Sequence, residues 1–310
     1  MKPKIFIDGR EGTTGLQIDQ RLAGRTDVEI LPIAEEKRKD PAERARLLNA
    51  ADIVFLCLPD AAAREAVAMI DNPHTRVIDA STAHRTNPAW AYGFPELSAG
   101  HRAAIAASKR VANPGCHATG FISLVYPLVQ MGIVAPDAPL TAHSITGYTG
   151  AGKKTIAQYE AAERDPELDS PRQYSLGLNH KHIPEMMAVC GLRRAPIFNP
   201  IICDFPQGMV VTVPLFLDRL QSLQTVDSLR EAYRSFYAGE PFISVQDGTP
   251  ESGFLGSNNV VGTNELQIFV SGNADQAIVC ARFDNLGKGA SGAAIQNLNI
   301  LLGADEHTGL

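Results

Sequence analysis

The chain has 310 residues, enough for two domains of ordinary size, and its 45% hydrophobic and 20% charged content is that of a globular protein with a substantial core. Lys and Arg number 28 against 34 Asp and Glu, a net charge of -6, which argues against a nucleic-acid partner and leaves room for a local basic pocket. No apolar run reaches the roughly 18 residues of a membrane helix, and the start "MKPKIFIDG" reads as a strand rather than a signal segment, so the expected compartment is the cytoplasm.

The first third alternates strand and helix. Strands are expected at 4–8, 28–33, 52–59 and 76–81, with helices at 13–24, 41–50 and 60–70. The third strand is apolar on both faces, as strands buried between helix layers are. Repeated βαβ of this kind predicts a doubly wound parallel sheet, a Rossmann-like α/β domain. Beyond it, long β runs at 140–154, 209–218, 265–272 and 276–283 surround one amphipathic helix at 225–239. They predict an α+β domain with a mostly antiparallel sheet. The division is expected at 115/116, giving a cofactor domain of 1–115 and a catalytic domain of 116–283, with 284–310 as a terminal helical segment.

The five cysteines are widely spaced, contain no CxxC, and suggest neither a disulfide framework nor a zinc site; no metal is expected. Cys57 and Cys280 lie in apolar strand-like runs, and Cys190 and Cys203 carry no motif. Cys116 differs. In "VANPGCHATG" Pro114-Gly115 makes a sharp turn and a helix follows, so Cys116 stands at a helix N-terminus. Unpaired N–H groups and the dipole there favour a thiolate, and the same groups can hold an oxyanion. A nucleophilic thiol needs a proton-handling partner. "NHKHIPEM" offers His180 and His182, which on an extended segment would face one way, with Glu185 to orient one of them. Spacing does not choose between the two. His117, adjacent on the helix, should point elsewhere.

Other segments read as ligand contacts. In "DGREGTTG", at the first βα junction, Gly9, Gly12 and Gly15 allow a tight turn and close approach to phosphates, with hydroxyls from Thr13 and Thr14. Glu35 stands where a ribose-binding acid is expected, but "EEKRKD" places Lys37, Arg38 and Lys39 beside it, leaning towards NADP through a cation such as Arg38. "STAHR" ends strand four at the carboxyl edge, bringing Ser81 to the cofactor side and Arg85 to grip a carboxylate or phosphate. Lys153, with Lys154, follows two glycine turns and forms a possible anion cradle, and Asn285 or Lys288 in "FDNLGKGASG" could return to the cofactor.

From "GREGTTG" through "DASTAHR", "YGFPEL", "NPGCHATG", "TGYTGAGKK" and "NHKHIPEM" to "DNLGKGASGAAIQNLN", nearly the whole chain resembles the N-acetyl-gamma-glutamyl-phosphate reductase family, shorter branch. The resemblance implies a Rossmann domain binding NADPH, a glyceraldehyde-3-phosphate-dehydrogenase-like catalytic domain, a C-terminal helix packing back on the first domain, and a homo-oligomer. It also implies Cys116 as nucleophile, His180 and His182 in proton transfer and substrate binding, and reductive dephosphorylation of N-acetyl-glutamyl 5-phosphate in arginine biosynthesis. Two positions depart from the family's pattern: the family's Ser-Ala-Asp-Phe-Arg reads Ser-Thr-Ala-His-Arg here, and His117 stands where a bulky aromatic is more usual. The alternatives are a sibling reductase of aspartyl or aminoadipyl phosphate, and a non-catalytic NADP-binding redox sensor. A Cys-His hydrolase would have no use for the glycine-rich turn.

Overall fold

The computed structural model describes residues 2–248 and 253–310. It divides into two compact units, Met1–Gly115 with Ala290–Leu310, and Cys116–Gly289. Among the described residues no helix is long and apolar enough to cross a membrane.

The first unit is built on a six-stranded, all-parallel sheet in the order β2-β1-β3-β4-β6-β5. Its elements are β1 (Lys4–Asp8), α1 (Thr13–Leu22), β2 (Glu29–Ile30), α2 (Pro41–Ala50), β3 (Ile53–Leu56), α3 (Asp60–Ala68), β4 (Arg76–Asp79), β5 (Ala91–Tyr92), α4 (Ala99–Ala107) and β6 (Arg110–Ala112). Side chains alternate across each strand. Ile5 and Ile7 of β1 pack in one layer with Ile18, Phe55 and Ile78, while Phe6 packs in the other with Leu47, Leu48 and Val54. Both faces are therefore covered, which accounts for the continuous apolar runs in the sequence. Asp40 caps α2, accepting from the N–H groups of Ala42 and Glu43, and Pro41 follows at the first helical position, where its missing donor costs nothing. The C-terminal helix, Gly292–Leu302, joins the first layer through Ala294, Ile295, Leu298 and Leu301. The sequence places the start of this terminal segment at 284, whereas the chain enters the first unit at Ala290. Residues 284–289 are held in the second unit: Asp284 accepts from Gly262 N and Leu286 N, and Asn285 Oδ1 accepts from Gly208 N.

The second unit carries α5 (Cys116–Gln130), β7 (Thr141–Gly147), α6 (Lys153–Tyr159), β8 (Arg172–Gln173), α7 (Ile183–Cys190), β9 (Ile197–Cys203), β10 (Met209–Phe216), α8 (Val226–Phe236), β11 (Ile243–Val245), β12 (Leu266–Gly272) and β13 (Gln276–Phe283). Its seven-stranded sheet runs β11-β12-β13-β10-β7-β9-β8, antiparallel except at β11–β12 and β7–β9. The expected β run at 140–154 ends at Gly147: a 3-10 turn follows, and α6 begins after Gly152, whose φ of 86° suits glycine. The helix α5 is buried from His117 to Leu128 and lies so close to β10 that a Cβ at Gly120 would stand 2.3 Å from Val211 Cγ2. Tyr233 and Tyr237, at the end of α8, donate to the carbonyls of Leu124 and Ser123 and tie α8 to α5. The opposite face of the sheet exposes Ile145, Ile197, Phe216 and Ile278.

Candidate active site

The glycine-rich loop lies at the carboxyl end of β1, beside β3, where the strand order reverses; ligands bind at such a switch point. Gly9 has φ 87°, and a Cβ there would stand 2.4 Å from the Cys57 carbonyl oxygen. A Cβ at Gly15 would stand 2.5 Å from the Gly9 oxygen, so the turn closes only with bare Cα positions. Gly12 N donates to Gly9 O, and Gly12 occupies the N-cap of α1 without a side chain to use the free N–H groups. The hydroxyl of Thr13 at the first helical position is buried and has no hydrogen-bond partner among the described residues. An orphaned donor, an uncapped helix start and a loop free of side chains fit a dinucleotide pyrophosphate. Arg38 reaches the same loop, its guanidinium 3.2 Å from Glu11 and 3.5 Å from Glu35, and stays partly exposed.

Cys116 is set by the stretch between β6 and α5. Asn113 is fastened on four sides within the first unit: its N–H donates to Asp79 O, its carbonyl accepts from Arg85 Nε, its Nδ2 donates to Ala290 O, and its Oδ1 accepts from Asn297. Three residues later Cys116 opens α5, half-buried, at the positive end of the helix dipole. Gly289 packs against it: a Cβ at 289 would stand 2.9 Å from Cys116 Cβ. Gly289 lies in a π-helical turn, Gly287–Ser291, of a kind often found at functional sites. The other four thiols are pushed up by burial, Cys57 to about 12 with help from the Asp79 and Asp8 charges.

The imidazoles of His180 and His182 meet edge to face, 4.8 Å between centroids. They do so on a turn and not on the extended segment expected: His182 is the N-cap of α7, in αR conformation, and its N–H donates to His180 Nδ1. His180 therefore carries its proton on Nε2. Burial and the Lys181 charge push it to about 4, so it is neutral at pH 7. Glu185 is buried in the first turn of α7. His117 joins the cluster, 5.2 Å from the His180 ring and 5.5 Å from the His182 ring, with Phe198 of β9 against both His117 and His180. His117 Nδ1 lies 2.7 Å from Ser144 Oγ and Nε2 lies 2.6 Å from Tyr174 Oη. Burial first, then the His180 and Lys181 charges, hold its pKa well below the usual histidine value. Ser175 and Leu178, in the loop from Tyr174 to His180, are the non-glycine residues with positive φ among those described, at 51° and 54°. Such strain gathers at functional sites.

The remaining predicted residues are placed as follows. Arg85 is buried, and two of its donors go to the backbone carbonyls of Asn113 and Ala80, so it braces the stretch that leads to Cys116. Ser81 is buried in a turn, donating to Asp79 Oδ2, which also pairs with His84. Thr14 is half-buried in the first turn of α1. Lys153 is exposed at the first position of α6. Asn285 is buried, its amide bonded to Gly208 N and Thr149 Oγ1, and Lys288 is buried over the Phe242 ring. Tyr174 and Ser144 escaped the sequence reading. Ser144 had a signal, since on β7 it alternates inward with Ala142 and Thr146; Tyr174 follows the two-residue β8, and had none. Among the described residues no group of three His, Cys, Asp or Glu side chains is arranged to hold a metal ion.

Residues 18–106 match the family "Semialdehyde dehydrogenase, NAD binding domain", and residues 116–285 match "Semialdehyde dehydrogenase, dimerisation domain". The chain is 47% identical to N-acetyl-gamma-glutamyl-phosphate reductase 2 of Nostoc sp., over 100% of its own length and 99% of the relative's. It is 48% identical to N-acetyl-gamma-glutamyl-phosphate reductase of Sinorhizobium fredii, over 98% and 100%. Among solved structures it is similar in fold to aspartate semialdehyde dehydrogenase from Francisella tularensis, with TM-score 0.74 and 14% identity over 97% of this chain and 100% of that one. Aspartate semialdehyde dehydrogenase II from Vibrio cholerae gives TM-score 0.73 at 14% identity over 97% and 98%. With full-length relatives at this identity and both domains matched, the chain belongs to the N-acetyl-gamma-glutamyl-phosphate reductase family.

Proposed function

We propose that the chain converts N-acetyl-glutamyl 5-phosphate to N-acetyl-glutamate 5-semialdehyde through a thioester on Cys116, with NADPH as reductant, in arginine biosynthesis. The observation that carries this reading is Cys116 itself, a half-buried thiol opening a buried helix whose next residue, His117, packs against the paired rings of His180 and His182. The Cys116 thiolate attacks the acyl-phosphate carbonyl, N–H groups of the first turn of α5 hold the tetrahedral oxyanion, and phosphate leaves. When bound, the nicotinamide supplies the hydride that takes the thioester to the aldehyde level. Neutral His180, with its proton on Nε2, donates a hydrogen bond to the substrate's acyl oxygen. His182, with Glu185 one turn beyond it, takes the thiol proton and returns it as the thiohemiacetal collapses and Cys116 leaves.

Gly9, Gly12 and Gly15 admit the pyrophosphate, with Thr13 and Thr14 donating to it. Arg38 takes the 2′-phosphate, so NADPH is preferred to NADH. Ser81 and Asn285 complete the cofactor contacts, and Arg85 and Lys153 those to the substrate. The protein works in the cytoplasm as a homo-oligomer. The matched dimerisation domain and the exposed apolar face with Ile145, Ile197, Phe216 and Ile278 support self-association.

The test runs the reaction in reverse, following NADPH absorbance with N-acetyl-glutamate 5-semialdehyde, phosphate and NADP. Phosphate-dependent NADPH formation that disappears in Cys116→Ala is expected. Activity on aspartate semialdehyde instead would move the substrate to the sibling acid, and silence on every aldehyde with NADPH still bound would sink the reductase reading.

A further inference from the structure

The imidazole of His84, in the first unit, has one nitrogen engaged and one without a partner. His84 is 7% exposed, and its Nδ1 lies 2.6 Å from Asp79 Oδ2. Asp79, the fully buried last residue of β4, also accepts from the Ser81 N–H and the Ser81 hydroxyl. A carboxylate oxygen can only accept, so Nδ1 carries the proton and Nε2 of the neutral ring is left with a bare lone pair. Trp90 stacks on the ring and fixes its plane, with centroids 4.0 Å apart and 8° between the planes. Asp79 is the one hydrogen-bond partner of this imidazole among the described residues. The polar neighbours are already engaged: Ser81 Oγ donates to Asp79 and accepts from Ala83 N, and Thr82 Oγ1 donates to Asp60. A lone pair aimed this firmly and left unmatched at such burial is costly unless a ligand matches it.

The place of the ring in the fold points to the ligand. β4 lies next to β3 and β3 next to β1, all parallel, so the turn that carries His84 leaves the sheet at the same carboxyl edge as the glycine-rich loop. Gly9 abuts the Cys57 carbonyl and the Leu58 side chain, and Leu58 and Trp90 pack against the same layer, that of Phe6 and Val54. With the pyrophosphate at β1 and the adenosine end at Arg38 beyond β2, a dinucleotide has to run its other nucleoside the opposite way, over β3 towards β4. That nucleoside carries ribose hydroxyls, which are donors in need of an acceptor. We propose that His84 is a cofactor-binding residue: held by Asp79 and Trp90, its Nε2 accepts a hydrogen bond from a hydroxyl of the nicotinamide ribose. The inference rests on reading the glycine-rich loop as the dinucleotide site.

The experiment needs no turnover. Titration calorimetry on the full chain compares NADP with adenosine 2′,5′-bisphosphate, which is the adenosine end alone. His84→Asn keeps an amide donor near the Nδ1 position, for Asp79, and loses the acceptor at Nε2. His84→Gln does the reverse, placing an amide oxygen near the Nε2 position and giving up the bond to Asp79. His84→Asn is expected to weaken NADP binding about three- to tenfold, the size of one neutral hydrogen bond, and to leave the bisphosphate within about twofold. His84→Gln should bind NADP more tightly than His84→Asn, whereas a role confined to bracing Asp79 gives the opposite order. NADP lacking the hydroxyls of its nicotinamide ribose should bind wild type and His84→Asn equally. Unchanged NADP affinity in folded His84→Asn, an equal loss for NADP and the bisphosphate, or the opposite order of the two variants would overturn the proposal. If wild type binds neither ligand, the reading of the glycine-rich loop itself falls, and that outcome is separate.

Discussion

Two strand-to-helix junctions carry a cysteine, and they treat the sulfur in opposite ways. After β3, Cys57 comes three residues before α3, whose first residue is Asp60. Cys57 is half-buried, as Cys116 is, but desolvation of its sulfur, with the Asp79 and Asp8 charges acting on it, pushes its thiol up to about 12. After β6, the Asn-Pro-Gly stretch carries the chain onward and Cys116 is itself the first helical residue. There no carboxylate occupies the first turn, and the positive end of the helix dipole favours an anion. The difference is one of register by about three residues, and on the proposed reading it separates a thiol held protonated from a nucleophile.

The sharpest way to break this contrast is to remove each sulfur. Cys116→Ala should cut phosphate-dependent turnover by at least about 10³-fold, while Cys57→Ala should leave steady-state rates within about threefold. Comparable losses at both would erase the distinction. A smaller effect comes from crowding each junction. Gly289→Ala pushes a methyl group onto Cys116 Cβ and should lower kcat about 10- to 100-fold, since a displacement near 1 Å costs that much. Gly9→Ala meets the Cys57 carbonyl at a positive φ, so it should raise the KM for cofactor and destabilise the fold by about 1–3 kcal/mol, read by urea denaturation. Arg38→Ala should raise the KM for NADPH about tenfold and barely change that for NADH. Equal effects on both cofactors would remove Arg38 from the 2′-phosphate.

The smallest effect at neutral pH concerns the protons around Cys116. Burial holds the folded pKa values of His180 and His117 below the ordinary histidine value of about 6.5, so below that pH the unfolded chain binds more protons. Stability from this source is complete above pH 6.5 and falls as pH drops towards 4, by about 1–3 kcal/mol for His180. In His180→Gln the urea midpoint should depend less steeply on pH across that window and differ little in slope above it. An unchanged slope would show that His180 does not titrate as its burial requires.

The parallel sheet was legible because β1, β3 and β4 are apolar on both faces and bounded by glycine, proline and asparagine. The Cys116 junction was legible because Pro-Gly before an apolar helix is a local signal. What was lost depends on partners distant in sequence. The seven residues of β9 contain Pro200 and read as no strand, yet they pair with β7, leaving the Pro200 carbonyl to accept from Tyr174 N. Arg85 reads as a ligand contact, and local sequence does not reveal the Asn113 and Ala80 carbonyls that hold two of its donors. His117 was set aside because neighbours on a helix diverge. They do diverge, but the turn before α7 brings His180 and His182 to the direction in which His117 points.

The most direct test of Cys116 as the acyl carrier is to catch the acyl group. Enzyme incubated with N-acetyl-glutamate 5-semialdehyde and NADP, with phosphate omitted, is quenched in acid and digested for mass spectrometry. The reading predicts one N-acetyl-glutamyl group on the peptide containing Cys116, discharged when phosphate is added before quenching. Full phosphate-dependent turnover with no acyl group on that peptide, or with the group on another cysteine, would contradict it.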